Sequence, residues 1–446
     1  MGYENWLTKL LSSVNESSFL NDDVTEFERM KNGAKLLDLG EKRFRPSFFE
    51  VAKKDYLSNL STQFKENYSS TLISIGIMVK NQEDKIENTL ASALNFCDNL
   101  IVVDTGSTDD TVEKIKAYQS SKLGFYEIPW TGNFSEMRNH IIDLNKNKWL
   151  FFVDSDEVIN PGESFEELRC ALTLIDILIP DFPVCLQIKQ WATQYRSFSF
   201  IERIIRRKDR TRYYGTVHEG VEADGEVEFI HLEFSLTNKG LLDEEMSKFD
   251  KKEIYKTLTL ELLEKEPNNP RWIANLTNPD VTAPVEELNQ YFDLLKRGIL
   301  VDVNKKFTLS NLREGEFLHM ILGKYLLIRI ARNELDLAIA ESHVALKKFP
   351  MSTFILFIHH YAKYLKNEKE KKLLFEDLLA DLSAIDNKEA EEVSQQKQDL
   401  IESLVVKYMF DFHNYKSASL LLNDISDKAA KENLLIESSV LRKIQS

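Results

Sequence analysis

Residues 72–79 read LISIGIMV, an apolar run of strand length that ends at Lys80. Three runs of the same kind follow along the chain, LIVVD at 100–104, GFYEI at 124–128 and WLFFVD at 149–154. The polar segments between these runs have helical periodicity. Strands that alternate with helices in this way indicate a layered α/β domain with a largely parallel, buried sheet.

The strand pattern changes after residue 180. The runs PVCLQIKQW (183–191), FSFIERIIRR (198–207) and VEFIHLEF (227–234) show more alternation. This predicts mixed or antiparallel pairing at one side of the sheet. Residues 71–240 are therefore predicted to form one α/β domain. Residues 1–70 mix short helical patterns with aromatic residues and are predicted to form a helical extension.

Amphipathic helices replace strands in residues 241–446. One helical face of the segment at 284–299 carries Val285, Leu288, Phe292, Leu295 and Ile299, and such a face needs a partner helix. In the segment LAIAESHVALKKFP (337–350), Ala338, Ala345 and Pro350 have the spacing of the second helix of a tetratricopeptide repeat. The sequence predicts an all-α, tetratricopeptide-like array of helical hairpins, and a plain helical bundle is the alternative.

The composition of the 446-residue chain is that of a globular protein with more than one core. Its formal charge of −15 argues against nucleic-acid or anionic-membrane partners, which select clustered Lys and Arg. The longest apolar runs are too short to span a bilayer, and the N-terminal residues do not resemble a secretory signal. The three cysteines have no zinc-like or disulfide-like spacing, so a cytoplasmic protein is expected.

Carboxylates follow the run at 149–154 directly, in the order Asp154, Ser155, Asp156. In an open α/β sheet, ligands bind at the carboxyl ends of the strands. Two aspartates one residue apart can present oxygens to Mg²⁺ or Mn²⁺ and leave positions for phosphate oxygens. The alternative is a surface turn in which an aspartate caps a helix, because this short pattern is common.

A second carboxylate, Asp104, ends the strand predicted at 100–104. Gly106 and three capping residues follow it, where the next helix should begin. Asp104 can accept hydrogen bonds from a base or ribose and stay clear of the phosphates. The segment lacks the glycine patterns of dinucleotide-binding and P-loop sites, which weakens those two interpretations.

Four motifs in order carry a family resemblance: IGIMVKNQED, IVVDTGSTDDT, NFSEMRN and WLFFVDSDE, spanning residues 75–157. They resemble the family 2 glycosyltransferases of GT-A fold. The resemblance implies that Asp104 contacts the uracil or ribose. It also implies that Asp154 and Asp156, with Ser155 between them, bind the nucleotide's ribose and a divalent metal.

The third motif resembles a family helix that lies near the nucleotide, so Arg138 and Asn139 are further donor-site candidates. The alternative for Arg138 is a solvated helix face. Beyond these motifs, YYGTVHEG (213–220) and the helical C-terminal region resemble the sublancin-type glycosyltransferases of bacteria. That resemblance implies a UDP-sugar donor, with UDP-glucose expected. It also implies a small bacteriocin-type peptide modified on Cys or Ser, and a homodimer formed through the helical domain.

Sugar transfer needs a base on the acceptor side and a metal on the leaving-group side. Glu219 is the predicted base, with His218 as the second candidate. An ion pair between Glu219 and one of the arginines at 203–212 is the alternative. Asp156 is the predicted metal ligand, and His231 is a possible second ligand or else a histidine bonded to backbone.

Two other functions are consistent with the same donor motifs. A transferase for a cell-envelope saccharide would differ only in its acceptor side, and lipid-linked acceptors usually require a membrane helix or a basic amphipathic stretch. A non-catalytic peptide-binding scaffold is the third hypothesis. Clustered carboxylates argue against a scaffold, since their mutual repulsion lowers stability unless a cation is bound.

Overall fold

A computed structural model describes residues 23–38, 53–118, 120–180, 182–192, 197–207, 211–239, 251–277, 284–384 and 398–445. The chain divides into two compact units, Met1–Thr277 and Asn278–Ser446. The sequence placed the change of domain at 240/241, which is too early. The helices Lys251–Lys265 and Pro270–Asn275 belong to the first unit, because residues on both pack against its loops.

The first unit is built on mixed β-structure. Its described strands are β1 (Leu37–Asp38), β2 (Ile73–Val79), β3 (Asn99–Asp104), β4 (Leu123–Glu127), β5 (Trp149–Phe152), β6 (Glu157–Ile159), β7 (Val184–Ala192), β8 (Ser197–Arg206), β9 (Arg212–Tyr214), β10 (Gly220–Glu222) and β11 (Glu228–Asn238). Within the described residues, β9 and β10 form a small antiparallel pair, and the other nine strands form one sheet in the order β1-β11-β7-β8-β5-β2-β3-β4, with β6 added beside β11.

Strand direction determines which edge of the sheet can hold a site. Strands β2, β3, β4 and β5 are parallel, and β8 runs antiparallel to both β5 and β7. Strand β7 therefore has the direction of β5, and β11 is parallel to β7. The carboxyl ends of β2, β3, β4, β5, β7 and β11 consequently lie at one edge of the sheet. For β2 to β5, which are the first four apolar runs, this is the parallel arrangement that the sequence predicted.

Helices cover the sheet as expected for buried strands. The described helices of the first unit are α1 (Asp23–Leu36), α2 (Lys53–Tyr68), α3 (Ile86–Leu94), α4 (Thr111–Ala117), α5 (Phe134–Leu144), α6 (Phe165–Leu178), α7 (Lys251–Lys265) and α8 (Pro270–Asn275). Helices α1 and α2 both pack on α6, so the described part of the predicted N-terminal extension belongs to this unit. On the other side, α5 lies so close to β2 that a Cβ on Gly76 would stand 2.5 Å from a methyl carbon of Ile141.

The second unit is helical. Its described helices are α9 (Val285–Ile299), α10 (Leu318–Ala331), α11 (Leu335–Lys348), α12 (Thr353–Ala384), α13 (Gln398–Asp411), α14 (Tyr415–Asp424), α15 (Lys428–Asn433) and α16 (Leu435–Gln445). Neighbouring helices pack in sequence order, α9 on α10, α10 on α11 and α11 on α12. Ala338 and Ala345 are fully buried, which fits the predicted role of small residues between close helices.

The apolar face predicted at 284–299 is also observed, since Phe292, Leu295 and Ile299 are buried on α9. The predicted order of an α/β region followed by an all-α hairpin region is confirmed by these elements. None of the described helices combines the length and the apolar character that crossing a membrane requires.

Candidate functional site

A cavity of about 610 Å³ opens at the carboxyl edge of the sheet. Each of five parallel strands contributes a residue at or just past its end: Val79 from β2, Thr105 after β3, Asp154 after β5, Gln190 from β7 and Asn238 from β11. The volume is within the range of small-molecule sites in proteins. The topology of the sheet therefore creates the cavity, and the last residues of the strands and the loops after them supply polar groups.

Three further segments of the first unit also line the cavity. Helix α5 contributes Phe134 and Arg138, and the connection between β9 and β10 contributes Val217, His218 and Glu219. Helix α7 contributes an aromatic side chain, Tyr255, whose ring centroid lies 5.6 Å from that of His218 and 6.0 Å from that of Phe134. Of the residues predicted from the sequence, Arg138, Asp154, Ser155, Asp156, His218 and Glu219 line this one cavity.

Arg138 contacts two carboxylates that line the cavity. Helix α5 begins after Asn133, whose side chain caps it by accepting hydrogen bonds from the backbone N–H groups of Ser135 and Glu136. One turn later Arg138 lies with 9% of its side chain exposed. Its Nη2 donates to Asp154 Oδ1 at 3.1 Å, and its Nε donates to Glu219 Oε1 at 3.1 Å. The solvated-face alternative for Arg138 is therefore wrong.

Asp154 is held as a carboxylate by two arginines. Burial opposes its ionisation, but Arg203 and Arg138 outweigh burial and hold the pKa of Asp154 below its usual value. Arg203 reaches the site from β8 and also contacts Glu157 at 3.0 Å. Burial raises the pKa of Glu157, which accepts the backbone N–H of Asp154 at 2.8 Å. These contacts fix the turn that carries the Asp-x-Asp pair.

Asp156 is the second aspartate of that pair and lies in the cavity wall. Its backbone carbonyl accepts from Lys239 N at 2.9 Å, so the end of β11 also anchors this turn. Within the ranges that the structure describes, no three His, Cys, Asp or Glu side chains form a group able to hold a metal ion. The protein residues fit a metal that Asp156 holds through one carboxylate and that takes its other ligands from phosphate and water, as Mg²⁺ commonly does.

Asp104 shapes the loop after β3. It is buried and accepts hydrogen bonds from the N–H groups of Gly106 and Ser107, both at 3.0 Å, and from the Ser107 hydroxyl. Gly106 has a φ of +107°, which a residue with a Cβ rarely adopts. The cavity is lined by the next residue, Thr105, which the sequence analysis did not select.

Besides Asp104, two other predicted residues do not line the cavity. Asn139 pairs with the backbone of β9, donating to Tyr213 O and accepting from Tyr213 N, both at 2.9 Å. His231 is exposed on β11, and its ring stacks on Phe200 with centroids 4.1 Å apart. His231 lies seven positions along β11 from Asn238 at the cavity, a distance of about 20 Å. The prediction of His231 as a metal ligand is therefore corrected.

Glu219 forms an ion pair with an arginine, as its alternative interpretation expected, but the arginine is a different one. Its carboxylate pairs with Arg138 on α5 rather than with an arginine between residues 203 and 212. His218, the second candidate, has a φ of +53°, so the backbone turns sharply beside the carboxylate. Glu219 thus points into the cavity with 15% of its side chain exposed.

Residues 74–218 match the family model described as "Glycosyl transferase family 2". The glycosyltransferase SunS of the Bacillus subtilis (strain 168) SPbeta prophage is 26% identical over 212 residues, 47% of this chain and 49% of that protein. The chain thus spans about half the length of this relative. The lipopolysaccharide core biosynthesis glycosyltransferase LpsC of Rhizobium meliloti (strain 1021) is 25% identical over 226 residues, 49% of this chain and 80% of LpsC.

Among solved structures, S. aureus TarS 1-349 in complex with UDP-GlcNAc aligns with 60% of this chain and 90% of its own, at 16% identity and a TM-score of 0.35. The family match extends from β2 to the loop that carries His218, and therefore includes most of the cavity. Together with the parallel strands it confirms the predicted α/β domain of GT-A type. Residues 74–218 are a glycosyl transferase family 2 domain, and the chain resembles the sublancin-type glycosyltransferases of bacteria.

Proposed function

We propose that this protein is an inverting glycosyltransferase that moves a hexose from a UDP-sugar to Cys or Ser side chains of a small bacteriocin-type peptide. One observation carries the proposal. A single cavity is lined by both the Asp-x-Asp pair and Glu219, and Arg138 contacts the carboxylates of Asp154 and Glu219. Direct displacement at a sugar carbon needs donor and base together around the reacting atom, and one cavity that holds both kinds of group supports this mechanism.

The donor side is assigned to the edge of the sheet. Asp154, kept ionised by its arginines, can accept hydrogen bonds from the ribose, and Asp104 holds the loop that carries Thr105 into the cavity. Asp156 would hold Mg²⁺ or Mn²⁺ together with the diphosphate. Such a metal, when bound, neutralises charge on the departing diphosphate. UDP-glucose is the donor we propose, from the resemblance to the sublancin-type enzymes.

The acceptor side is assigned to Glu219. The acceptor oxygen or sulfur forms a bond to the anomeric carbon, the bond from that carbon to the diphosphate breaks, and UDP leaves. The acceptor proton passes to the Glu219 carboxylate. Arg138 orients that carboxylate from 3.1 Å, and His218 flanks it. A single displacement of this kind inverts the configuration at the sugar carbon.

The peptide acceptor is proposed from the likeness to SunS and from the resemblance to the sublancin-type glycosyltransferases. The three cysteines are free and buried, which supports a reducing compartment, and the proposal places the reaction in the cytoplasm. A homodimer formed by the helical unit completes the proposal. The net charge of −15 supports an acceptor other than nucleic acid.

The test compares Glu219→Gln with wild type on two peptides that differ only in Ser or Cys at the acceptor position. At pH 8 about a quarter of a free thiol with a pKa of about 8.5 is already thiolate, whereas a serine hydroxyl is not ionised. A general base contributes about 100-fold or more, so transfer to Ser should fall by about that factor and transfer to Cys by less than about tenfold. The readouts are UDP release and peptide mass.

Glu222→Gln is the matched control, since Glu222 is exposed on β10 three residues away. Equal losses on both peptides would contradict the base assignment. UDP release without peptide mass gain would contradict the peptide acceptor. If the protein bound no UDP-sugar, both transferase hypotheses would be contradicted and the scaffold hypothesis would remain.

The second candidate function is transfer to a cell-envelope saccharide. The match to LpsC favours it, because this chain covers 80% of that protein. The same assay decides between the two candidates when a lipopolysaccharide core oligosaccharide replaces the peptide. Mass gain on the oligosaccharide alone would establish the saccharide acceptor and overturn the peptide proposal.

A further inference from the structure

The segment that carries His218 and Glu219 is a short connection with an unusual backbone. It joins β9 to β10, whose register pairs Tyr214 with Gly220. Gly215 has a φ of +91° and His218 a φ of +53°. A non-glycine residue in the left-handed region costs free energy and persists only where surrounding contacts enforce it. The connection therefore needs external contacts to keep Glu219 in place.

One such contact comes from helix α5, where Phe134 N donates to Thr216 O at 3.0 Å. The other comes from α8, which lies outside the family-matched residues 74–218. Arg271 on this helix donates from Nη1 to Glu219 O at 3.0 Å and to His218 O at 3.4 Å. Its guanidinium therefore holds the backbone of both residues that the proposed function assigns to the acceptor side.

Arg271 is itself held in place. Its Nη2 donates to Glu202 Oε1 on β8 at 2.8 Å, and both side chains are almost buried. Its guanidinium carbon lies 5.9 Å from the ring centroid of Tyr214. A Cβ on Gly220 would stand 2.8 Å from that same carbon, so glycine at 220 is what allows the close approach. The neighbouring Trp272 supports the first turn of the connection, because its ring would lie 2.5 Å from a Cβ on Gly215.

We propose that Arg271 is a positioning residue for the acceptor side of the reaction. It links the sheet, through Glu202, to the two carbonyls that flank and carry the Glu219 side chain. This inference rests on the proposed function for the role of Glu219 as base, while the restraint of the connection stands on the contacts alone. A planar guanidinium can serve a carboxylate and two carbonyls at once, whereas a lysine ammonium acts as a single point charge.

The test is Arg271→Lys in the full chain, measured with the Ser peptide and UDP-glucose. Loss of positioning by about an ångström lowers turnover by roughly 10- to 100-fold. We expect kcat with the Ser peptide to fall within that range and the donor KM to stay within about twofold, because the donor side does not contact Arg271. Glu202→Gln, which keeps Arg271 and weakens its anchor, should change kcat in the same direction by a smaller factor.

Arg169→Lys is the matched control. Arg169 also pairs with an aspartate, Asp98, at 2.6 Å and lies over the ring of Phe165, and none of these three lines the cavity. A merely structural arginine would behave like this control, lowering stability and leaving the Ser-to-Cys transfer ratio unchanged. Arg271→Lys should instead lower that ratio, because a thiol depends less on the base than a hydroxyl does.

Amide hydrogen exchange separates failure of this inference from failure of the proposed function. In Arg271→Lys, amides of residues 215–220 should exchange about tenfold faster or more, while those of β2 stay as in wild type. Unchanged exchange together with the kinetics of Arg169→Lys would overturn the positioning role. If wild type modifies neither peptide, the proposed function fails, and exchange alone then decides whether Arg271 restrains the connection.

Discussion

Replacing Arg138 by Met should destabilise the first unit by about 3 kcal/mol. Arg138 pairs with Asp154 and with Glu219, each at 3.1 Å, and its own side chain is 9% exposed. Removing one member of a buried ion pair typically costs about 3–5 kcal/mol, because a charge is left buried without its partner. The lower end applies here, since Asp154 keeps Arg203 and has a third of its side chain exposed.

Urea unfolding followed by tryptophan fluorescence measures this loss in the relevant unit. The four tryptophans among the described residues, Trp130, Trp149, Trp191 and Trp272, all lie in the first unit. In a second experiment, thermal unfolding followed by the same fluorescence, a loss of about 3 kcal/mol should lower the midpoint by about 6 °C or more. Arg212→Met is the control, because Arg212 pairs with Asp143 on the surface and should matter by less than about 0.5 kcal/mol.

A double-mutant cycle with Glu219→Gln then isolates the pair. If Arg138 stabilises the Glu219 carboxylate, the two substitutions together should cost at least about 1 kcal/mol less than the sum of the single effects. Additive effects, or an Arg138→Met protein as stable as Arg212→Met, would refute the claim that this arginine neutralises the carboxylates of both Asp154 and Glu219.

Two further predictions concern the metal and the thiols. Asp156→Ala should abolish Mn²⁺-dependent UDP release, while His231→Ala should keep it within about twofold; equal losses in both would restore His231 as a ligand. Burial raises the pKa of the Cys97 and Cys170 thiols to about 12, so at pH 8 iodoacetamide should alkylate them only after unfolding. Mass spectrometry of native and urea-treated protein measures this, and rapid native alkylation would contradict the burial.

The carboxyl edge of the sheet could be predicted from the sequence because it depends on local patterns. Buried strands read as apolar runs, parallel strands share one direction, and the residues after them must then lie together. This is how Asp154, Ser155 and Asp156 were found. Glu219 was predicted as the base because its loop follows a strand near the rim of the site, and it lines the cavity.

The errors have equally physical causes. Successive residues on an α-helix point about 100° apart, so Arg138 and Asn139 cannot both face the same cavity. The pattern NFSEMRN does not show which of the two faces inward. For His231, the strand itself was predicted, but its alternation gives no information about which end reaches the ligand edge, and His231 lies in the part of β11 far from that edge.

The contribution of α7 and α8 could not be found from the sequence for a different reason. Their helical pattern indicates a buried face but not the surface that it covers, so they were assigned to the helical domain. In the structure Tyr255 lines the cavity and Arg271 holds the backbone at 218 and 219. Tyr255 contacts His218, 37 positions earlier, and Arg271 contacts residues even further away in the sequence. No local pattern encodes such pairings.

The structure also changes the argument for a metal. Clustered carboxylates were expected to need a cation, and for Asp154 the cations are Arg138 and Arg203, which already hold its pKa below the usual value. The charge of Asp154 is therefore no evidence for a bound metal. The metal hypothesis depends on Asp156 alone, and on phosphate oxygens that only the donor can bring. It follows that metal affinity should be weak without UDP-sugar and should rise when it binds, because each supplies ligands or charge that the other needs.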